Sequence, residues 1–148
     1  MKSVTGLLLA LATSAAFAAP ECKPVVGGFE AQVVPPGTGH CPATAPFCTA
    51  GRVWGGIQGT YQFVMTNSES SVLLGGLPTI FFFAGRSTVT LKSGDIVRGT
   101  DTGSIDFAQG GFASLITFDG GGQARLRGDF DASQGTTAGD YLGTLCTP

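Results

Sequence analysis

The sequence predicts an all-β protein, a small antiparallel β-barrel of about eight strands tied by disulfide bonds. Apolar and polar side chains alternate with a period of two in several short segments, which is typical of strands with one buried face. Glycine supplies 24 of the 148 residues and lies within these segments as well as between them, so that short strands can bend. A closed barrel is favoured over an open sheet because closure removes edges that bind other strands.

The chain begins with the features of a cleaved leader. Lys2 precedes an apolar run over residues 7–11, and small residues lead to Ala16-Phe17-Ala18. We therefore predict a signal peptide over residues 1–18 and a secreted or periplasmic protein. Residues 19–148 are expected to form one globular domain, with a proline-rich, cysteine-containing segment at 19–50 and the barrel at 51–148. No later stretch is long and apolar enough to predict a membrane span.

The four cysteines predict two disulfides, because an exported chain meets an oxidising compartment. Cys41 and Cys48 flank a short loop rich in proline and threonine, so we pair them with each other. Cys22 then pairs with Cys146 and links the start of the mature chain to its last strand. The spacing of these cysteines and His40 matches no common zinc pattern, so no metal or other cofactor is predicted. His40 itself is interpreted as a loop residue rather than a catalytic base.

Residues 51–66 are predicted to form one long, bent strand. Ile57, Tyr61, Phe63 and Met65 share one side of it, and glycines at its centre allow a sharp bend. A strand that is long, bent and apolar on one side is what the wall of a barrel requires. Tyr61 and Phe63 are therefore expected to line the interior.

Four large apolar residues follow each other at positions 80–83. Adjacent side chains in a strand point to opposite faces, so Ile80 and Phe82 are expected on one face and Phe81 and Phe83 on the other. We place Phe82 inside the barrel. The Phe81/Phe83 face must then be covered by a loop or by a second subunit, which predicts a possible homo-oligomer.

The rest of the chain reads as further strands separated by turns. Residues 93–95 and 119–122 carry the small and polar residues of tight turns. Between and after them, alternation continues in residues 86–92, 96–100, 112–118, 123–130 and 139–146. In the fourth of these segments Ala124, Leu126 and Phe130 are expected inside. The residues predicted to line the barrel are Tyr61, Phe63, Phe82, Phe112, Ile116 and Phe118.

Two motifs that suggest chemistry are weak. Residues 101–104 spell the Asp-Thr-Gly-Ser signature of aspartic proteases, but one copy cannot supply the required pair of carboxylates, so the motif is interpreted as a turn. Residues 129–140 have acidic and hydroxyl residues at the offsets of a calcium-binding loop. Gln134 stands where that loop needs glycine, and we do not predict a calcium site.

The part of the chain after residue 85 resembles the small barrels of the allene oxide cyclase and dirigent superfamily. The resemblance is carried by residues 91–100, by the glycine-rich segment 118–130 and by residues 139–144. It implies an eight-stranded antiparallel barrel, often oligomeric, that holds an apolar substrate and steers a cyclisation or coupling. It assigns no catalytic residue in this chain.

The sequence therefore predicts an exported barrel that binds a small apolar molecule, with isomerase or cyclase activity implied only by the resemblance. Tyr61 could orient a ligand through its phenol. The alternative is a secreted binding or inhibitor module that acts through the loop closed by Cys41 and Cys48. A net charge of −2 without any cluster of Lys or Arg argues against a nucleic-acid partner.

Overall fold

The computed structural model of the protein describes residues 21–71, 78–133 and 136–147. In these residues the chain forms a closed barrel of eight antiparallel strands, as predicted. Each strand pairs with the next one along the chain, and β8 returns to pair with β1. The strands are β1 (Glu21–Val33), β2 (Cys48–Gly55), β3 (Gly59–Ser70), β4 (Ile80–Leu91), β5 (Ile96–Asp106), β6 (Gly111–Phe118), β7 (Gln123–Ser133) and β8 (Thr136–Thr147). The predicted signal peptide at 1–18 lies outside the described residues.

The proline-rich start contributes a full strand, so the barrel begins at Glu21 and not at residue 51. β1 pairs with β8 over its whole length but with β2 only from Gly27 onward. Pro24 therefore lies where β1 has one open edge, and a missing N–H donor is tolerated there. The density of prolines in residues 19–50 had favoured a barrel that starts at residue 51, but a proline at an open strand edge does not prevent a strand.

Residues 51–66, predicted as one strand, are instead the hairpin of β2 and β3. The chain reverses at residues 56–58, with Val53 paired to Gly59. Gly55 has a φ of 94°, in the left-handed region where a side chain is disfavoured, so glycine here makes the turn. The alternation predicted for Tyr61, Phe63 and Met65 holds within β3, where Phe63 and Met65 are buried.

The faces of β4 are the reverse of the prediction. Phe82 lies on the outside of the barrel, with 54% of its surface exposed, whereas Phe83 lies inside. The rings of Phe81 and Phe83 pack edge to face against Phe107 and Phe63, with centroids 5.6 and 5.4 Å apart. Alternation separates neighbouring side chains but does not say which set faces the interior. Phe83 and Val89 are an even number of residues apart in β4, so their side chains lie on the same face. An inward position of Val89 would have indicated that Phe83 also points inward.

Both predicted disulfides are present. The bond between Cys22 and Cys146 joins directly paired residues of β1 and β8, so it lies across the strand pair that closes the barrel. The bond between Cys41 and Cys48 lies in the connection from β1 to β2. Cys41 and Cys48 are buried with Ala45, and Val34 and Val64 pack against this cluster. The connection is therefore a folded part of the molecule with its own small core.

Candidate functional site

The barrel encloses a cavity of about 240 Å³. Its wall is mostly apolar and includes seven phenylalanines, one of which, Phe47, comes from the connection between β1 and β2. An apolar cavity of about 150 Å³ is known to hold benzene, so this one has room for roughly ten non-hydrogen atoms. The phenylalanines are Phe29, Phe47, Phe63, Phe83, Phe107, Phe112 and Phe130.

Most of the predicted lining residues reach this cavity. Tyr61, Phe63, Phe112 and Ile116 are part of its wall. Phe82 is not, because it points outward from β4. Phe118 is on the same face of β6 as Phe112 and Ile116. It lies at the end of the strand, beyond the residues that form the cavity wall.

One carboxyl group faces this apolar space. Asp101 on β5 is buried and lines the cavity. Its Oδ2 accepts a hydrogen bond of 2.7 Å from the Ser87 hydroxyl on β4, and its Oδ1 accepts one of 2.6 Å from the Ser114 hydroxyl on β6. Burial raises the pKa of Asp101 above its ordinary value of 3.8, and the bonds from Ser114 and Ser87 oppose that shift in part.

Asp101 is the only charged side chain among the described residues of the cavity wall. A buried carboxylate without a cationic partner is costly, because hydrogen bonds replace only part of its lost hydration. Such a group in a cavity is a candidate for a functional role.

Two aromatic rings of the same cavity wall occupy space that glycines leave on the strands near Asp101. A side-chain carbon placed on Gly85, which pairs with Asp101, would be only 2.5 Å from the Phe63 ring. One placed on Gly103, two residues beyond Asp101 on β5, would be 2.7 Å from the Phe83 ring. The Phe63 and Phe83 rings meet edge to face, with an angle of 77° between their planes. The cavity thus brings a carboxyl group and an aromatic pair together.

The two tyrosines of the wall are the other titratable groups described there. Burial raises the pKa of Tyr61 to about 12, and a hydrogen bond with Thr49 opposes the shift. Burial also raises the pKa of Tyr141, opposed by a backbone hydrogen bond at Ile57. The Tyr141 oxygen accepts the Ile57 N–H at 2.9 Å and lies 3.1 Å from the Trp54 carbonyl, to which it donates. Tyr141 therefore stabilises the turn between β2 and β3 through hydrogen bonds. The phenols of Tyr61 and Tyr141 are both uncharged near neutral pH.

Sequence reasoning missed Asp101 because it interpreted residues 101–104 as a turn. The structure places them in the middle of β5, paired with β4 and β6. The sequence did contain an indication of this. Val97, Asp101 and Ile105 are an even number of residues apart, so they lie on one face of a strand. An aspartate in register with apolar neighbours indicates an inward carboxyl group more directly than a four-residue motif does.

The remaining polar candidates lie apart from the cavity wall. His40, in the β1–β2 connection, is half-buried with Nε2 3.4 Å from the Phe63 carbonyl oxygen. The described residues of this segment, 129–133 and 136–140, are paired strands of β7 and β8 up to Ser133 and Thr136. Asp129 and Asp140 face each other across that hairpin as exposed residues.

An exposed apolar surface lies on the outer face of β4 and extends over β6 and β8. Phe82, Leu115 and Leu142 are exposed there along a shallow outer groove that also includes Arg125 and Arg127. Phe81 and Phe83 lie on the other face of β4, where their rings pack against other aromatic rings. A homo-oligomer through the Phe81/Phe83 face stays a prediction.

The buried carboxyl group predicts a pH-dependent effect on stability. The pKa of Asp101 is higher in the folded state than in the unfolded state. The stability that this group contributes is therefore fully present below its unfolded-state pKa and is lost as the pH rises through its folded-state pKa. Asp101→Asn removes the ionisation and can still hydrogen-bond both serines, since a hydroxyl can also accept. We expect the variant to melt a few degrees above wild type at about pH 7 and level with it at about pH 3.

Thermal unfolding followed by circular dichroism measures this difference. Asp131→Asn, an exposed aspartate that pairs with Ala138, is the matched control and should leave the melting temperature nearly unchanged at both values. A lower melting temperature for Asp101→Asn near neutral pH would show that the serine–carboxylate bonds outweigh the burial of the charge.

These features define the class of protein: a small, disulfide-linked, closed antiparallel barrel with an apolar cavity and one inward carboxyl group. Comparison with protein-family models, curated proteins and solved structures finds no match for this chain. In the part of the chain that the structure describes, no helix reaches the length and apolarity needed to cross a membrane. The two disulfides are compatible with an oxidising compartment.

Proposed function

We propose that this is an exported barrel protein that binds one small apolar molecule inside the barrel. The observation that supports this most is the cavity of about 240 Å³ with its phenylalanine-rich wall. Small-molecule sites are typically concave and apolar with a few polar groups that set orientation, and the cavity has this composition. Export is supported by the leader-like residues 1–18 and by the two disulfides.

The cavity wall is well suited to hold a ligand of fixed shape. Its rings come from strands on several sides of the barrel, and the edge-to-face pair of Phe29 and Phe112, with centroids 5.5 Å apart, links β1 to β6 across the interior. Hydrogen-bonded neighbours hold each strand on both sides, so the wall is preorganised, and little ordering entropy opposes binding.

Isomerase or cyclase activity, which the resemblance to allene oxide cyclases implies, is a finer proposal for the same site. Asp101 is the carboxyl group in the described wall that could transfer a proton to or from a bound molecule, and burial raises its pKa above the ordinary value. Such a step would require a reacting atom within hydrogen-bond reach of its carboxyl oxygens.

Binding of ethylbenzene to the purified protein tests the proposal. The molecule has about eight non-hydrogen atoms and fits the cavity by volume. We expect heat of binding in calorimetry and a melting temperature that rises with ligand concentration, because a ligand of the native state stabilises it by mass action. Absence of both signals for ethylbenzene and its smaller and larger homologues would overturn the proposal.

A matched pair of variants locates the binding. Val89→Phe adds a ring inside the cavity, whereas Val26→Phe makes the same change on the outer surface, where Val26 is 67% exposed. The inner variant should weaken ethylbenzene binding at least about tenfold, and the outer variant should leave it unchanged. Equal affinities in the two variants would place binding outside the barrel.

A second candidate function is a binding or inhibitor module that acts through the connection between β1 and β2. It is supported by exposed prolines on a connection that the Cys41–Cys48 bond and its buried cluster hold in shape. Substituting Pro35, Pro36 and Pro42 with alanine should then abolish capture of a protein partner and leave ethylbenzene binding intact.

A further inference from the structure

The geometry around Asp101 points to a more definite ligand: we propose that the cavity binds a small molecule with an aromatic or aliphatic body and one protonated amine, which pairs with the Asp101 carboxylate. This inference rests on the proposed function, because it specifies the chemical class of the cavity's ligand.

The first argument is charge. Asp101 faces an apolar cavity, and the described wall contains no Lys, Arg or His that could neutralise it. The groups facing it from the adjacent strands are the neutral hydroxyls of Ser87 and Ser114, and the other titratable groups of the wall are Tyr61 on β3 and Tyr141 on β8. A cationic ligand would supply the missing partner and would gain most where water is excluded.

The second argument is the number of hydrogen-bond acceptors left free. An ionised carboxylate offers about four lone-pair positions, and the two serines each occupy one of them. Each serine also holds one carboxyl oxygen in place. The carboxylate is therefore oriented by the protein and still has acceptor positions for the N–H groups of an ammonium.

The third argument is the aromatic pair beside the carboxylate. Gly85, the β4 partner of Asp101, and Gly103 on β5 leave room for the Phe63 and Phe83 rings, which belong to the same cavity wall as Asp101. Aromatic faces attract organic cations, and the attraction strengthens when the cation is desolvated. A carboxylate next to aromatic rings is thus suited to an ammonium group attached to an apolar body.

The same geometry argues against the other charged or polar occupants. A metal cation such as Ca²⁺ takes six to eight oxygen ligands, about twice what Asp101 and its two serines supply. An anion would meet the carboxylate with like charge. A neutral alcohol could donate one hydrogen bond, but it would leave the buried charge without a partner.

The test compares four probes of similar size and different charge: 2-phenylethylamine, 2-phenylethanol, ethylbenzene and phenylacetate. By calorimetry at about pH 7 we expect the amine to bind at least about tenfold more tightly than the alcohol, since a hydrogen bond between charged partners is worth more than a neutral one. Phenylacetate should bind most weakly.

Asp101→Asn is the matched variant, because it keeps the shape and removes the charge. We expect it to abolish the preference for the amine over the alcohol and to leave ethylbenzene affinity within about twofold of wild type. Ser87→Ala and Ser114→Ala keep the charge but loosen its orientation, and each should reduce the preference only in part. A far-UV circular dichroism spectrum like that of wild type, with a single cooperative melting transition, confirms that each variant is folded.

The outcomes separate this inference from the proposed function. Ethylbenzene binding without any preference for the amine, or with a preference for the alcohol, would overturn the amine assignment and leave the proposed function standing. A preference for the amine that survives Asp101→Asn would also overturn it. Failure of all four probes to bind would count against the proposed function itself.

Discussion

Removing the disulfide between Cys22 and Cys146 is expected to destabilise the protein by about 4–5 kcal/mol, because the bond closes a loop that spans almost the whole described chain. The sequence separation of the two cysteines is 124, and loop-closure entropy in the unfolded state grows with that separation. For a domain of this size the double variant Cys22→Ala/Cys146→Ala should melt roughly 15 °C below wild type.

The position of this bond adds a structural reason. Cys22 pairs directly with Cys146, and both lie in the pairing of β1 with β8. That strand pairing joins the first strand to the last and so closes the sheet into a barrel. Without the bond, the pairing of β1 with β8 depends on backbone hydrogen bonds between the two ends of the described chain. The cavity should therefore lose its ligand at lower temperature than wild type does.

The second disulfide is the matched control. Cys41→Ala/Cys48→Ala opens a loop with a separation of only 7 and should cost about 2–3 kcal/mol by the same entropy argument. Thermal and urea unfolding of both double variants measure the difference. Equal losses in the two variants would show that the buried cluster at Cys41, Ala45 and Cys48 matters as much as loop length.

Gly143→Ala is expected to be among the most damaging single substitutions, with a loss of at least about 2–3 kcal/mol. Gly143 lies in β8 and pairs with Val25 on one side and Leu126 on the other. A side-chain carbon at this position would overlap the backbone carbonyl of Arg125 on β7. The Arg125 carbonyl is held in a strand that is paired on both sides, so it cannot move away as a flexible side chain can. The strands of the barrel wall would have to shift instead.

Gly120→Ala provides the control for this prediction. Gly120 is exposed in the turn between β6 and β7, and no heavy atom lies within 4 Å of a side-chain carbon placed there. The control should change the free energy of unfolding by no more than about 0.5 kcal/mol. Similar urea midpoints for the two variants would contradict the claim that the close approach of the Arg125 carbonyl, and not chain entropy, requires glycine at position 143.

Local patterns were enough to predict most strands and turns. The turns at residues 93–95 and 119–122 are present, with Gly94, Gly121 and Gly122 at positive φ. The inward positions of Ala124, Leu126 and Phe130 followed from period two and are found on β7. These features depend on residues close in the chain, and sequence shows such neighbours directly.

The errors arose where the answer depended on distant strands. The apolar run at residues 80–83 does not by itself distinguish Phe82 from Phe83. In the structure, Phe83 and Phe81 pack against the rings of Phe63 and Phe107 from other parts of the barrel. Pro24 is acceptable in β1 because β2 does not reach it. Asp101 became a candidate site only when β4 and β6 placed Ser87 and Ser114 on its two oxygens.

The sequence by itself determined the strand class, the turns and the pairing of the four cysteines, because alternation, turn chemistry and loop length are properties of neighbouring residues. The tertiary structure decided that Phe83 and not Phe82 is inside, where the chain reverses at residues 56–58, and that the Asp101 carboxyl group lies in a cavity wall rich in phenylalanine. Those features follow from register between strands that are far apart in sequence, since a shift of one residue would exchange the two faces of a strand.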